Sequence, residues 1–128
     1  MSGERILVVD DNPANVRLAA YVLSTHGFEV HTASTPAEAM ESIGAKNPDL
    51  VLMDIQLPGT DGLTLTRRLR GNPATKKLII VAFTAYAMRG DEEKALAAGC
   101  DGYLSKPIDT RTFADRISGF LSAREEKK

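Results

Sequence analysis

Short runs of apolar residues alternate along this chain with longer stretches in which apolar residues recur at helical spacing. The runs cover residues 6–9, 28–32, 50–53, 79–83 and 103–105. A switch between these two periods is typical of βα units, in which a helix that packs on the sheet follows each buried strand. The pattern therefore predicts five strands that alternate with five helices.

Proline, glycine and capping residues mark the expected helix boundaries. Pro13 suits the first turn of the first helix, and Gly27 suits the left-handed residue that ends it. The sequence Thr35-Pro36-Ala37-Glu38 is a capping box, so the second helix should begin there and run to about Lys46. The remaining helices are expected over residues 61–71, from about 89 to 98, and from about 109 onwards.

Consecutive βα units favour one sheet of parallel strands, because right-handed crossovers place each strand beside its neighbours in the same direction. Continuous apolar strands indicate that helices cover both faces. The predicted fold class is α/β, with a doubly wound five-stranded parallel sheet. The 128 residues fit one domain, residues 1–128, with a core of about 4–122 and a charged tail at 125–128.

Polar residues with useful chemistry follow four of the five predicted strands. Asp10 and Asp11 follow the first, Asp54 the third, Thr84 the fourth and Lys106 the fifth. Because the carboxyl ends of parallel strands meet at one edge, all five side chains can converge on one crevice. Each residue alone is better interpreted as a cap or a surface charge, but five unrelated caps at one edge is a poor explanation.

The chemistry of this set suits a divalent cation together with a phosphoryl group. Three adjacent carboxylates repel one another, and a hard cation such as Mg²⁺ relieves that repulsion. Lys106 supplies a compact positive charge, and the hydroxyl of Thr84 can donate to a phosphoryl oxygen. An aspartate such as Asp54 can also act as a nucleophile that forms an acyl phosphate.

Composition and charge narrow the expected partners and location. The net charge is -1 and the pI is about 6.1, which gives no electrostatic reason to expect nucleic acid or a membrane as partner. Cys100 is the single cysteine, so no internal disulfide can form. The first residues do not resemble a signal peptide, and no apolar run approaches membrane-spanning length. We therefore expect a cytoplasmic protein.

Several segments together resemble response-regulator receiver domains over nearly the whole chain. The matching segments are Val8-Val9-Asp10-Asp11-Asn12, Leu52-Met53-Asp54-Ile55-Gln56-Leu57-Pro58, Asp61-Gly62, Thr84-Ala85 and Lys106-Pro107-Ile108. The resemblance implies a flavodoxin-like (βα)5 fold with strand order 2-1-3-4-5, which is the known order in a member of this family.

The resemblance also implies roles for the residues at the strand ends. Asp54 would accept a phosphoryl group from a phosphohistidine on a sensor histidine kinase or a histidine phosphotransfer protein. Asp11, Asp54 and the backbone carbonyl of Gln56 would bind Mg²⁺, with Mn²⁺ as a substitute, and Asp10 would act mainly through water. Thr84 and Lys106 would hold the phosphoryl oxygens.

Two further features follow from the resemblance. Tyr103 matches the switch aromatic of the family. Its ring would rotate inward after Thr84 moves, and this would alter the face formed by the fourth helix, the fifth strand and the fifth helix. A downstream protein would bind to that face. Tyr103 can also be interpreted simply as a half-buried aromatic of an edge strand. Gln56 and Tyr86 occupy the positions that tune the acyl-phosphate lifetime, and the bulky Tyr86 predicts a long one.

Within the family, the segments around residues 84–93 and 98–100 look most like stand-alone division-control regulators and hybrid-kinase receivers. We expect a phosphoacceptor with slow self-catalysed phosphorylation and dephosphorylation rather than an enzyme, acting as a single-domain regulator or as a phosphate shuttle in a hybrid-kinase relay. An aspartyl phosphohydrolase is a weaker alternative, because Gln56 stands where that class has a second aspartate. A nucleotide- or flavin-binding fold is disfavoured, because the turn at residues 10–13 is acidic and lacks glycine.

Overall fold

The computed structural model describes residues 3–57, 60–84, 91–105 and 108–126. Within these ranges the chain forms seven strands and five helices. The strands are β1 (Arg5–Val9), β2 (Glu29–Ala33), β3 (Leu50–Asp54), β4 (Gln56–Leu57), β5 (Thr60–Asp61), β6 (Ile79–Thr84) and β7 (Gly102–Ser105). The helices are α1 (Pro13–Thr25), α2 (Pro36–Lys46), α3 (Gly62–Arg70), α4 (Asp91–Ala98) and α5 (Phe113–Glu126).

Five of the strands make one parallel sheet in the order β2-β1-β3-β6-β7. This is the predicted order 2-1-3-4-5 once the five strands of the main sheet are counted in chain order. The two short strands β4 and β5 form a separate antiparallel pair, which the sequence did not predict. A strand of two residues is too short to show any hydrophobic period, so the pattern carries no signal for it.

The two faces of the sheet support separate apolar clusters, because alternate side chains of each strand point in opposite directions. Leu50 and Leu52 of β3 belong to the cluster beneath α1 and α5, whereas Val51 and Met53 belong to the one beneath α2, α3 and α4. Every residue of β3 is buried. The central strands are therefore buried on both faces, as their continuous apolar runs predict.

Residues with positive φ angles follow three of the helices, a role that the sequence predicts for Gly27. Gly27, two residues beyond the end of α1, and Gly99, directly after α4, have positive φ angles of 93° and 111°. Asn47 adopts a left-handed conformation, with φ 48°, after α2. Thr35 caps α2 as predicted, since its hydroxyl accepts the amide N–H of Glu38 at 3.1 Å.

One predicted helix start is wrong, and another lies partly outside the described residues. Helix α5 begins at Phe113 instead of about Asp109. The Asp109 side chain accepts the N–H of Arg111 at 3.0 Å, and its carbonyl accepts that of Thr112 at 3.1 Å, so a side-chain-stabilised turn precedes the helix. For the fourth helix, residues 89–90 are not described and α4 is seen from Asp91.

Among the described residues, no helix has the length and apolar character that crossing a membrane requires.

Candidate functional site

The two central strands β1 and β3 bring three carboxylates together at one edge of the sheet. Asp10 directly follows β1, whose last residue, Val9, pairs with Met53, and Asp54 is the last residue of β3. One carboxylate oxygen from each of Asp10, Asp11 and Asp54 lies within 4.8 Å of the other two. Asp10 and Asp54 are only 1% and 4% exposed, whereas Asp11 is exposed. The site thus has two buried acids and one acid open to solvent.

The turn between β1 and α1 is fixed by hydrogen bonds that the sequence analysis did not include. The amide of Asp10 donates to the carbonyl of Ala33 at 3.0 Å, and Asp10 Oδ1 accepts the N–H of Asn12 at 2.9 Å. Asn12 in turn caps α1, because its Oδ1 accepts the N–H of Ala14 at 2.9 Å. An Asn directly before Pro13 is a recognisable capping signal, so Asn12 could have been predicted.

The segment after Asp54 returns immediately to the site, because Gly62 packs directly against β3. The amide of Gly62 donates to the carbonyl of Ile55 at 2.7 Å. A Cβ atom at position 62 would lie 2.9 Å from Met53 Cγ and well inside contact distance of the carbonyl oxygen of Asp54. A side chain at this position would therefore push α3 away from the strand that carries Asp54.

The donor set at this edge is suited to a hard cation. Carboxylate oxygens are the ligands that Mg²⁺ prefers, and three of them within 4.8 Å provide the negative charge to attract it. Gln56, two residues beyond Asp54, has its backbone in β4, opposite Asp61 of β5. The predicted set of Asp10, Asp11 and Asp54 is thus brought together by the fold.

The remaining predicted residues are described only in part. Thr84 ends β6 and pairs with Ser105, and its neighbour Phe83 pairs with Asp54, so the backbone of Thr84 lies at the same edge of the sheet. The side chains of Gln56 and Thr84 lie outside the described part of the structure, as do Tyr86 and Lys106 altogether.

Tyr103, the predicted switch residue, lies on the edge strand β7. It is half-buried and packs against the apolar cluster beneath α2, α3 and α4. It also borders a cavity of about 430 Å³ between α4, β7 and α5. The cavity is also lined by Phe83, Glu92, Phe113 and Arg116. Tyr103 therefore stands between the apolar interior and an open cavity.

With this geometry in hand, comparison with known proteins shows the class to which the chain belongs. Residues 6–118 match the family described as response regulator receiver domain, so the chain belongs to that family. It is 36% identical over 116 residues to the polar-differentiation response regulator DivK of Brucella ovis, an alignment that covers 91% of this chain and 94% of DivK.

Solved structures agree with this result. A CheY-like response regulator receiver domain protein from Methanospirillum hungatei JF-1 superposes with a TM-score of 0.89 at 30% identity, covering 99% of this chain and 100% of that one. The BeF3-activated receiver domain of RstA from Klebsiella pneumoniae gives a TM-score of 0.83 at 33% identity, covering 92% and 98%. Both relatives support the flavodoxin-like, CheY-type fold that the strand order defines.

Proposed function

We propose that this chain is a single-domain response regulator whose phosphoacceptor is Asp54. The observation that carries the proposal is the cluster of Asp10, Asp11 and Asp54, in which one carboxylate oxygen of each lies within 4.8 Å of the others. Membership of the receiver family and the 36% identity to DivK support it. Histidine kinases or phosphotransfer proteins are the partners that this family implies.

Within this proposal, each residue at the site has a distinct role. A carboxylate oxygen of Asp54 attacks the phosphorus of a phosphohistidine, the P–N bond breaks, and the leaving imidazole takes up a proton. Asp11 and Asp54, with the backbone carbonyl of Gln56, would hold Mg²⁺, which when bound neutralises charge on the phosphoryl oxygens. Asp10 is held by Asn12 and adds negative charge beside the other two acids. Thr84 and Lys106 would hold the phosphoryl oxygens.

Mass spectrometry with a small phosphodonor tests the proposal directly. The protein is incubated with Mg²⁺ and acetyl phosphate, and the intact mass is measured for wild type, Asp54→Asn and the control Asp115→Asn. Asp115 is an exposed acid in the first turn of α5 and does not belong to the three-acid cluster. Wild type and Asp115→Asn should gain one phosphoryl group, and Asp54→Asn should gain none. A wild type without the added mass, or an Asp54→Asn variant that gains it equally, would overturn the assignment.

We further propose that the face formed by α4, β7 and α5 binds the downstream protein. The cavity of about 430 Å³ beside Tyr103 supports this, since rotation of the ring would change its shape. Its rim carries Glu92 from α4 and Arg116 from α5, so charge as well as shape is available for recognition. Beryllofluoride, which occurs in the activated RstA structure, should alter the NMR signals of the Tyr103 ring. Ring signals that stay unchanged on full beryllofluoride binding would contradict the switch role.

As part of the same proposal, Gln56 and Tyr86 determine how slowly the acyl phosphate is hydrolysed. Neither residue is acidic, and a bulky Tyr86 would hinder an attacking water. Tyr86→Ala should therefore release phosphate faster than wild type when release is timed after removal of the phosphodonor. An unchanged or slower release would count against this role.

A further inference from the structure

Positive charge is concentrated in one part of this nearly neutral chain. Between Asp61 and Asp91 the sequence contains no aspartate or glutamate, although the whole protein has 17 acidic and 16 basic residues. The same stretch contains the cations Arg67, Arg68, Arg70, Lys76, Lys77 and Arg89. Four of those in the described part of the chain are exposed, and we call them the basic patch: Arg67, Arg68, Lys76 and Lys77.

Hydrogen bonds tie the loop that carries Lys76 and Lys77 to the end of α3. The hydroxyl of Thr75 donates to the carbonyl of Leu69 at 2.6 Å, and Nη1 of Arg70 donates to the carbonyl of Lys76 at 2.9 Å. Both bonds fold the loop after α3 back onto the last turn of that helix. Lys76 and Lys77 therefore belong to a loop that is tied to the end of the helix carrying Arg67 and Arg68.

The charges of the basic patch are not neutralised by ion pairs within the described structure. Arg70 forms an ion pair with Asp101, with Nη2 2.6 Å from Oδ2, but none of the four patch residues forms one with another described residue. Favourable interaction with the helix dipole accounts for arginines in the last turn of α3. It does not account for Lys76 and Lys77, which lie beyond the helix.

A cavity of about 200 Å³ opens beside the basic patch, between the end of α2 and the loop after α3. Its lining combines four apolar residues with polar groups, and Lys77 stands at one side. The residues that line it are Ile43, Asn47, Pro48, Ala74, Thr75, Lys77 and Leu78. The nearest acid in the sequence, Asp49, already accepts the amide N–H of Arg5 at 2.8 Å. The cavity therefore offers apolar side chains and polar groups together, with a cation at its margin.

We propose that the basic patch and this cavity bind an acidic segment of a partner protein. One aliphatic side chain of the segment fills the cavity, and its flanking carboxylates pair with the patch cations. Nucleic acid fits less well, because residues 62–78 contain no aromatic side chain on which a base could stack. A membrane surface fits less well too, because membrane binding needs apolar side chains that protrude rather than a concave cavity.

The basic patch lies away from the three-acid cluster, so both can be occupied at once. Helix α3 begins at Gly62, beside Asp54, and its 9 residues carry the chain about 13 Å towards the opposite edge of the sheet. This inference is independent of the proposed phosphoryl transfer. Asp54→Asn should bind the acidic segment as wild type does.

A peptide titration followed by NMR tests the inference. The probe is a capped peptide with a central leucine flanked by two glutamates on each side, and the amides of Ile43, Ala74 and Leu78 report its binding. We expect saturable shifts, and about tenfold weaker binding to the double variant Lys76→Glu, Lys77→Glu, because two attractive charges become repulsive. A serine in place of the leucine should weaken binding about 25-fold, since about 2 kcal/mol of apolar burial is lost.

The controls separate this site from general attraction between charges. The double variant Arg17→Glu, Lys94→Glu makes the same charge change on α1 and α4, both positions being exposed, and should bind the peptide as wild type does. Far-UV circular dichroism and acetyl phosphate labelling establish that each variant is folded. Absence of saturable shifts, equal binding of the serine peptide, or tighter binding of an oligothymidylate or of phosphatidylserine vesicles would overturn the proposal.

Discussion

At Gly62 there is no room for a Cβ atom, and the contact of α3 with the strand that carries Asp54 depends on this. We expect Gly62→Ala to destabilise the protein by about 2 kcal/mol. A methyl group there would stand 2.9 Å from Met53 Cγ and would overlap the carbonyl oxygen of Asp54. Overpacking against a backbone atom costs up to about 3 kcal/mol, and the higher helix propensity of alanine recovers about 1 kcal/mol.

Urea unfolding measures this difference. With a denaturant dependence of about 2 kcal/mol per molar urea, the midpoint should fall by about 1 M. Gly44→Ala in α2 is the matched control, because a Cβ there meets nothing within 4 Å. That variant should gain about 0.5–1 kcal/mol of stability from helix propensity alone. A Gly62→Ala variant as stable as wild type would refute the reasoning, as would equal effects at the two glycines.

Other predictions follow from the hydrogen bonds of single residues. Arg70→Met should lower the free energy of unfolding in urea by about 2 kcal/mol, because it removes hydrogen bonds to Gly99, Lys76 and Asp101. The control Arg68→Met should change it by less than about 0.5 kcal/mol. Equal effects of the two substitutions would contradict this prediction. Hydrogen bonds from the amide and hydroxyl of Ser34 lower the pKa of Glu38, so their stabilisation is present above the ordinary glutamate pKa and is lost as the pH falls through the lowered value. Ser34→Ala should raise the pKa of Glu38 in a carboxyl ¹³C NMR titration, and an unchanged value would exclude the hydroxyl as a cause.

The main sheet was predictable because its signal is local and repeated. Residues such as Val8, Leu52 and Val81 belong to runs with no polar interruption, and only a strand buried on both faces requires such runs. The strand-end position of Asp54 followed from the same runs. Parallel pairing then brought it to Asp10 without any further assumption.

Features that depend on contacts between distant parts of the chain were not predictable. Arg70 looked like one of several surface arginines, but it bonds to Gly99 and Asp101, 29 and 31 residues away. The start of α5 was wrong because the Asp109 side chain can cap a turn as readily as a helix. Sequence shows that a residue can donate or accept a hydrogen bond, but it does not show which partner the fold supplies.

In this protein, the strands that position the three-acid cluster are buried and are separate from the elements that form the outer surface. From Ile6 to Val9, β1 is inaccessible to solvent, and β3 is buried throughout, yet these two strands place Asp10 and Asp54. The surfaces available to other molecules come instead from helices, loops and the edge strands β2 and β7. Substitutions on those surfaces can therefore redirect the protein to new partners, by natural divergence or by engineering, while the clustered carboxylates keep their positions.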